Sequence, residues 1–197
     1  MVKVVLLILA FQCVLFCGCG KCDSLRFYTD SAVMETDSGM IRFTFFEKDA
    51  PEHVGNFKKL VGSGYYDGKP FHRVITDFVI QAGRASASSY SSLEPEINKI
   101  HFKGALAAAR MGDEINPVRR SDGYEFYISL KPQPELDGKY TVFGRVAEGF
   151  DTVKRISTAG TDATDRPFKD ILINRTYLEK YFDVEKYGYF TRISESR

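Results

Sequence analysis

One segment of the chain brings a guanidinium close to a side-chain amide. Residues 71–83 form an apolar, β-branched run that carries Arg73 and Gln81. On an unbroken strand these two positions share a face, because they are an even number of residues apart. If Thr76-Asp77 forms a turn, the run is a hairpin and the two side chains face each other across it. The hairpin leaves a cation beside an amide on an apolar wall. The alternative is a half-buried strand whose arginine pairs with a surface carboxylate.

Residue types for other kinds of chemistry are sparse. All the cysteines precede residue 23, so the remainder of the chain has neither a redox pair nor a disulfide framework. Cys19 and Cys22 have the spacing of a redox or metal pair, but no second cysteine or histidine pair with metal-ligand spacing follows. No nucleophile stands with a base, so we expect no metal, no cofactor and no hydrolase. The net charge is +1 without a basic cluster, and nucleic acid is therefore not an expected partner. The histidines are His53, His72 and His101.

The elements around this segment predict a mainly β domain. With 197 residues, of which 44% are hydrophobic, the chain suffices for one core of ordinary size. Alternating residues on both sides of Ser38-Gly39 predict a hairpin. A helix is expected from Pro51 to the glycines at 62–64, and a second at residues 150–156. Short strands, two helices and Gly-rich turns indicate a closed antiparallel barrel.

The first residues predict an export signal. A cationic start is followed by an apolar run, residues 4–16, that is short for a permanent membrane anchor. The sequence Phe16-Cys17-Gly18-Cys19 resembles the lipobox of bacterial lipoproteins, which implies lipidation at Cys19 after cleavage. We therefore expect residues 1–19 to be a signal peptide. The protein would then lie in the bacterial cell envelope, anchored to a membrane and facing the periplasm or the exterior. A soluble secreted or periplasmic protein and an uncleaved anchor are the alternatives.

Three blocks in order resemble the signatures of the cyclophilin family of peptidyl-prolyl cis-trans isomerases. They are Tyr65–Ile75, Phe78–Gly83 and Leu136–Val146. Shorter matches, at residues 50–57, 104–110 and 166–171, resemble the family's first helix, central strand and closing strand. The resemblance implies an eight-stranded antiparallel barrel capped by two helices. We place this domain at residues 31–177, after a tether at 20–30 and before an aromatic extension at 178–197.

The resemblance also implies a function and a site. The family accelerates rotation about X-Pro bonds in polypeptides, so we expect proline-containing partners and a role in folding exported proteins. Arg73 matches the catalytic arginine and Gln81 the residue that holds it. Ala109 and Arg110 are expected to offer backbone groups to the substrate. The sequence does not indicate an oligomeric state. The apolar wall for the proline ring is expected from Phe78, Val79, Tyr127, Leu136 and Tyr140.

One departure from the family pattern bears directly on catalysis. Glu125 stands where the family has glutamine, and a carboxylate beside Arg73 is able to pair with it and turn it away from the substrate. Tyr124, where the family has serine, adds bulk at the same rim. These changes predict slower or narrower catalysis. They also leave open a second class of function, a binding module that holds proline-containing segments without turning them over.

Overall fold

The computed structural model describes residues 28–84 and 92–183. The chain divides into two compact units, and residues 30–181 form the unit that contains the sheet and every predicted catalytic or substrate-binding residue. The other unit comprises residues 1–29 and 182–197. Of its described residues, Tyr28 and Phe182 make an edge-to-face ring contact with centroids 5.9 Å apart.

An eight-stranded antiparallel sheet dominates the larger unit. Its strand order is β10-β1-β2-β9-β6-β8-β4-β3, and a separate two-stranded ribbon joins β5 to β7. The strands are β1 (Tyr28–Thr36), β2 (Gly39–Phe45), β3 (Phe71–Ile75), β4 (Val79–Ala82), β5 (Ser92–Leu93), β6 (Ala105–Ala108), β7 (Ser121–Asp122), β8 (Phe126–Ser129), β9 (Val142–Glu148) and β10 (Ile173–Phe182).

The mainly β fold with two helices agrees with the sequence prediction, although complete closure was slightly overstated. The edge strands β3 and β10 are not paired with each other as strands. The first residue of each strand is joined to the segment before the other strand by three backbone hydrogen bonds, from Gly68 N to Ile173 O (2.7 Å), from Ile173 N to Lys69 O (2.9 Å) and from Phe71 N to Ile171 O (3.0 Å). These bonds satisfy groups that an open edge would leave exposed.

Both predicted helices are present. Helix α1 spans Pro51–Gly62 and buries Val54, Phe57 and Val61 on one face, as the apolar spacing requires. Helix α2 spans Phe150–Ser157 and buries Val153 and Ile156. The ring of Phe57 lies edge-on to Phe126 of β8, with centroids 5.5 Å apart. The helix and the sheet therefore share one aromatic core.

Apolar side chains form two separate clusters. The larger fills the space between the sheet and the helices. The smaller comprises Val79, Ala105, Ala107, Ala109, Tyr127 and Val142, with five partly buried side chains packed against it. Because successive residues of a strand point to opposite faces, β4, β6 and β8 supply both clusters. The second cluster is the foundation of the site described below.

Two features of the chain's last part differ from the prediction. The closing strand begins at Ile173, and residues 166–171 form a loop instead. Pro167 has no backbone donor, and the amide of Arg166 donates to the Asp162 side chain (3.1 Å) in a local turn, so a strand ladder is not continued there. Strand β10 also runs to Phe182, past the predicted boundary at residue 177.

The predicted signal peptide and its Cys19 lie outside the described residues, as does most of the tether. Within residues 28–84 and 92–183, no helix is both long and apolar enough to cross a membrane.

Candidate active site

The β3–β4 hairpin decides between the two arrangements that the sequence left open. Arg73 and Gln81 are direct cross-strand partners in the antiparallel pair. The turn between the strands is the predicted one, and Asp77 within it has a left-handed φ of 57°, a conformation that aspartate tolerates better than most residues. The hairpin thus presents a guanidinium and an amide side by side.

A cleft of about 380 Å³ opens over this pair, and all ten predicted catalytic and substrate-binding residues line it. Their roles stay predictions. The sequence reasoning missed six further lining residues, most of which lie on the loop between β6 and β8, where no motif marks them. The predicted ones are Arg73, Phe78, Val79, Gln81, Ala109, Arg110, Glu125, Tyr127, Leu136 and Tyr140. The missed ones are Arg84, Met111, Asn116, Arg120, Ser121 and Asp122.

The apolar wall of the cleft is the second cluster of the core. Val79 and Tyr127 are buried in it, while Phe78, Leu136 and Tyr140 pack against them and remain partly open to the cleft. The rings of Tyr127 and Tyr140 meet edge to face at 6.0 Å. Phe78 is held at the hairpin turn because its carbonyl oxygen accepts from the amide of Leu130 (2.9 Å). The wall is therefore held by packing on the core, by ring contacts and by a backbone hydrogen bond at the turn.

A buried hydrogen-bonded chain fixes the Tyr127 ring. The ring nitrogens of His101 lie 2.9 Å from Asp137 Oδ1 and 2.8 Å from the Tyr127 hydroxyl oxygen. Burial lowers the pKa of His101 despite the opposing effect of Asp137, so the imidazole is neutral near pH 7. Since Asp137 only accepts, Nδ1 carries the proton and Nε2 accepts from the tyrosine. Burial also raises the pKa of Tyr127, which keeps the hydroxyl protonated.

Glu125 does not pair with Arg73, contrary to the interaction considered from the sequence. Its Oε2 accepts from Gln81 Nε2 at 2.6 Å. It also lies 3.5 Å from His72 Nε2, an ion-pair rather than a hydrogen-bond distance, and its Oε1 lies 3.8 Å from Arg84 Nε. Burial alone would raise the pKa of Glu125, but His72, Gln81 and Arg84 outweigh it and the pKa is lowered. The carboxylate is therefore charged at neutral pH and directed to Gln81.

The prediction that Tyr124 adds bulk at the rim of the cleft is also wrong. Its ring stacks on Tyr65, with centroids 5.0 Å apart, and it does not line the cleft. The segment is held by Asp122, whose Oδ1 accepts from the amides of Tyr124 (2.7 Å) and Glu125 (3.1 Å). The hydroxyl of Tyr66 donates to the carbonyl oxygen of Tyr124 (3.1 Å). This turn places the Tyr124 side chain against Tyr65 and the Glu125 side chain in the cleft.

The backbone groups expected to meet a substrate differ in availability. Ala109 donates to Glu125 O (3.0 Å) and accepts from Asp122 N (2.8 Å), so both of its backbone groups already have partners. Those of Arg110 have none in the described part of the chain. The Arg110 guanidinium is engaged by Lys139 O (2.8 Å) and lies 4.5 Å from the Tyr140 ring centre. Arg110 can therefore offer main-chain hydrogen bonds while its side chain supports the wall.

The single ion pair that Arg73 makes with any described residue involves Asp165. Arg73 Nε lies 3.2 Å from Asp165 Oδ2, and the two side chains are 41% and 40% exposed. The terminal nitrogens of the guanidinium have no partner among the described residues and are free to meet a ligand. Within residues 28–84 and 92–183, no group of three His, Cys, Asp or Glu side chains is arranged to hold a metal ion.

Comparison with known proteins gives consistent matches. The family model described as "Cyclophilin type peptidyl-prolyl cis-trans isomerase/CLD" matches residues 31–178. Peptidyl-prolyl cis-trans isomerase CYP18-2 of Arabidopsis thaliana is 40% identical over 153 residues, covering 73% of this chain and 90% of the relative. Human peptidyl-prolyl cis-trans isomerase-like 1 is 38% identical over 155 residues, covering 73% and 89%.

Solved structures agree with these sequence matches. A cyclophilin-type peptidyl-prolyl cis-trans isomerase of Cryptosporidium parvum superimposes with a TM-score of 0.70 at 26% identity, over 78% of this chain and 98% of that one. The same protein crystallised in the presence of the dipeptide Ala-Pro gives a TM-score of 0.69 at 25% identity, over 76% and 98%.

Proposed function

The chain belongs to the cyclophilin-type peptidyl-prolyl cis-trans isomerase family and is an isomerase of X-Pro bonds; from this premise we propose that Arg73 is its catalytic residue. The observation that carries the proposal is a guanidinium with free terminal nitrogens beside Gln81, in a cleft with an apolar wall. By analogy with the neighbour crystallised in the presence of Ala-Pro, the occupant of this cleft is a proline residue in a polypeptide.

The reaction needs electrostatic assistance rather than a nucleophile. Rotation about an X-Pro bond meets a barrier of about 18–20 kcal/mol because amide resonance is lost midway. In the twisted form the prolyl nitrogen regains a lone pair, which an N–H donor can stabilise selectively. A guanidinium hydrogen of Arg73 supplies that donor in the cleft. The proline ring packs on Phe78, Val79 and Tyr127, which fixes the nitrogen's position relative to the donor.

Glu125 is compatible with this mechanism because of where it is bound. A carboxylate only accepts hydrogen bonds, so the amide of Gln81 turns its NH₂ group to Glu125. The Gln81 carbonyl oxygen is then left for other donors. The argument for a binder without turnover drew on Glu125, Tyr124 and the aromatic extension as an adapted surface. Glu125 is instead engaged by Gln81, and Tyr124 does not line the cleft. We therefore assign Glu125 to the support of the site.

Replacing Glu125 with glutamine distinguishes an active isomerase from a binding module in which the carboxylate suppresses turnover. Glutamine keeps an oxygen that accepts from Gln81, so we expect kcat/KM on a short Xaa-Pro peptide to stay within about threefold of wild type. The measurement is a protease-coupled isomerisation assay on the full chain. A gain of tenfold or more, roughly 1.4 kcal/mol, would contradict this account and would show that the carboxylate restrains the enzyme.

We also propose that the isomerase is exported and lipid-anchored at Cys19, and that it assists the folding of exported proteins. The support is the leader sequence, with its apolar run at residues 4–16 and its lipobox-like end. Slow X-Pro exchange limits the folding of many proteins, so an anchored isomerase has clients in that compartment. The relatives reported above are eukaryotic, and the proposal does not rest on them.

The anchor has a direct test with a matched control. When the full chain is produced in a bacterial host, we expect it in the membrane fraction with a lipid-modified N-terminus. Replacing Cys19 with alanine should move most of it to the soluble fraction or leave it as an uncleaved precursor. Replacing Cys22 with alanine, three residues beyond the lipobox-like segment, should leave the distribution unchanged. Equal behaviour of the two variants would refute lipidation at Cys19.

A further inference from the structure

The partner of Arg73 lies on an element that belongs to none of the site motifs. Asp165 is on the loop between α2 and β10, and it does not line the cleft. It is 92 positions from Arg73 in sequence, yet its Oδ2 accepts from the arginine Nε at 3.2 Å. We infer that Asp165 is a positioning residue that aims the Arg73 guanidinium into the cleft. This inference rests on the proposed role of Arg73.

The loop fixes the carboxylate through its backbone. The carbonyl oxygen of Asp165 accepts from the amide of Val74 on β3 (2.8 Å), the residue next to Arg73. The amide of Asp165 donates to Asp162 O (3.1 Å), whose side chain in turn accepts from the Thr164 amide (2.8 Å). Asp165 itself has a left-handed φ of 64°. Non-glycine residues seldom adopt this conformation, and they keep it only where neighbours hold it.

The Asp165 contact orients the Arg73 guanidinium because it engages Nε and not a terminal nitrogen. A guanidinium has five N–H donors in a rigid planar fork, and the Asp165 bond uses the single one on Nε. The four donors on the terminal nitrogens make no bond to Asp165 and stay available to a ligand. Glu125 and Asp122 are the acids that line the same cleft and would attract a released Arg73. Asp165 pairs with Arg73 at Nε, and the terminal nitrogens of the guanidinium are thereby kept available for the imide nitrogen.

Stability and catalysis should depend on this pair to very different degrees. Both side chains are about 40% exposed, so the ion pair contributes little to the free energy of unfolding. Orientation of a catalytic donor is far more sensitive, because small misplacements lower the rate strongly. Loss of rate without loss of stability is therefore the signature of a positioning role.

Glycine is the appropriate replacement at position 165, because it accepts the left-handed φ without strain. We expect Asp165→Gly to lower kcat about tenfold while KM and the melting temperature stay close to wild type. Asp165→Asn keeps an acceptor oxygen and tolerates the same φ, and it should recover most of the rate. Asp170→Asn, on the same loop, is the matched control and should behave as wild type.

A spectroscopic readout separates this inference from the proposed function. The Arg73 Nε–H proton of the full chain should give a slowly exchanging NMR signal that disappears in Asp165→Gly, whether or not the protein turns over a peptide. An unchanged kcat in Asp165→Gly would overturn the positioning role. An unchanged Nε–H signal would overturn the contact itself. A wild type without isomerase activity would instead count against the assignment of Arg73 as catalytic residue.

Discussion

Replacing Arg73 with alanine should lower kcat/KM on an Xaa-Pro peptide by about 10²- to 10³-fold, the usual cost of removing a preorganised donor. The variant keeps the apolar wall formed by the second core cluster, so the proline ring still binds. The variant loses the N–H hydrogen bond to the prolyl nitrogen, which is stronger in the twisted state of the amide than in either planar state. The loss should therefore fall on kcat rather than on KM. A protease-coupled assay with a peptide concentration series measures both.

Two further variants complete this test. Arg73→Lys keeps the charge but loses the planar fork and the Nε donor, so its activity should lie between wild type and alanine. Arg175→Ala removes an exposed arginine of β10 that is remote from the cleft lining, and it should match wild type. If Arg73→Ala kept kcat/KM within a few-fold of wild type, the guanidinium would not be the catalytic group.

Replacing Gly83 with alanine should destabilise the protein by about 3 kcal/mol and abolish most activity. Gly83 follows β4 with a φ of 93°, which disfavours any L side chain. A Cβ atom there would also lie 2.3 Å from Tyr124 O and 3.0 Å from the Tyr66 ring. Both the strand end and the turn that carries Glu125 would have to move. Chemical denaturation gives the loss of free energy, and the isomerase assay gives the loss of rate.

Gly112 offers a control for this substitution. Its φ is not left-handed, and a Cβ atom would meet no heavy atom of the described residues within 4 Å, apart from its own chain neighbours. Gly112→Ala should therefore change the free energy of unfolding by no more than about 0.5 kcal/mol. A Gly83→Ala protein with a wild-type denaturation midpoint would mean that the close approach of residues 83 and 124 is not needed.

Local patterns in the sequence predicted much of the fold and the membership of the site. Pro51 and the glycines after Val61 mark both ends of α1 because one fixes φ and the others disfavour helix. The Thr76-Asp77 turn allowed a hairpin, and with it the pairing of Arg73 and Gln81. The family blocks located most of the other predicted lining residues, because each block is continuous in sequence, and the six lining residues that were missed lie outside the blocks.

Contacts between distant segments could not be predicted in this way. The sequence suggested that Glu125 is near Arg73, but not that the Glu125 carboxylate accepts a hydrogen bond from Gln81 instead. Asp165 approaches Arg73 through a loop whose path depends on backbone bonds to β3, and no motif marks it. The sequence indicates only that the Tyr127 ring belongs to an apolar wall. The structure adds that its hydroxyl bonds to His101. Side-chain partners of this kind follow from the packed structure rather than from local periodicity.

The most direct measurement is the exchange rate between cis and trans forms of a bound proline peptide, observed by NMR with the wild-type chain and with Arg73→Ala. Uncatalysed exchange takes tens of seconds or longer. We predict exchange that is orders of magnitude faster on the wild type, and near-uncatalysed exchange on an alanine variant that still binds the peptide. Equal exchange rates on the two proteins, or binding to the wild type without accelerated exchange, would contradict the account.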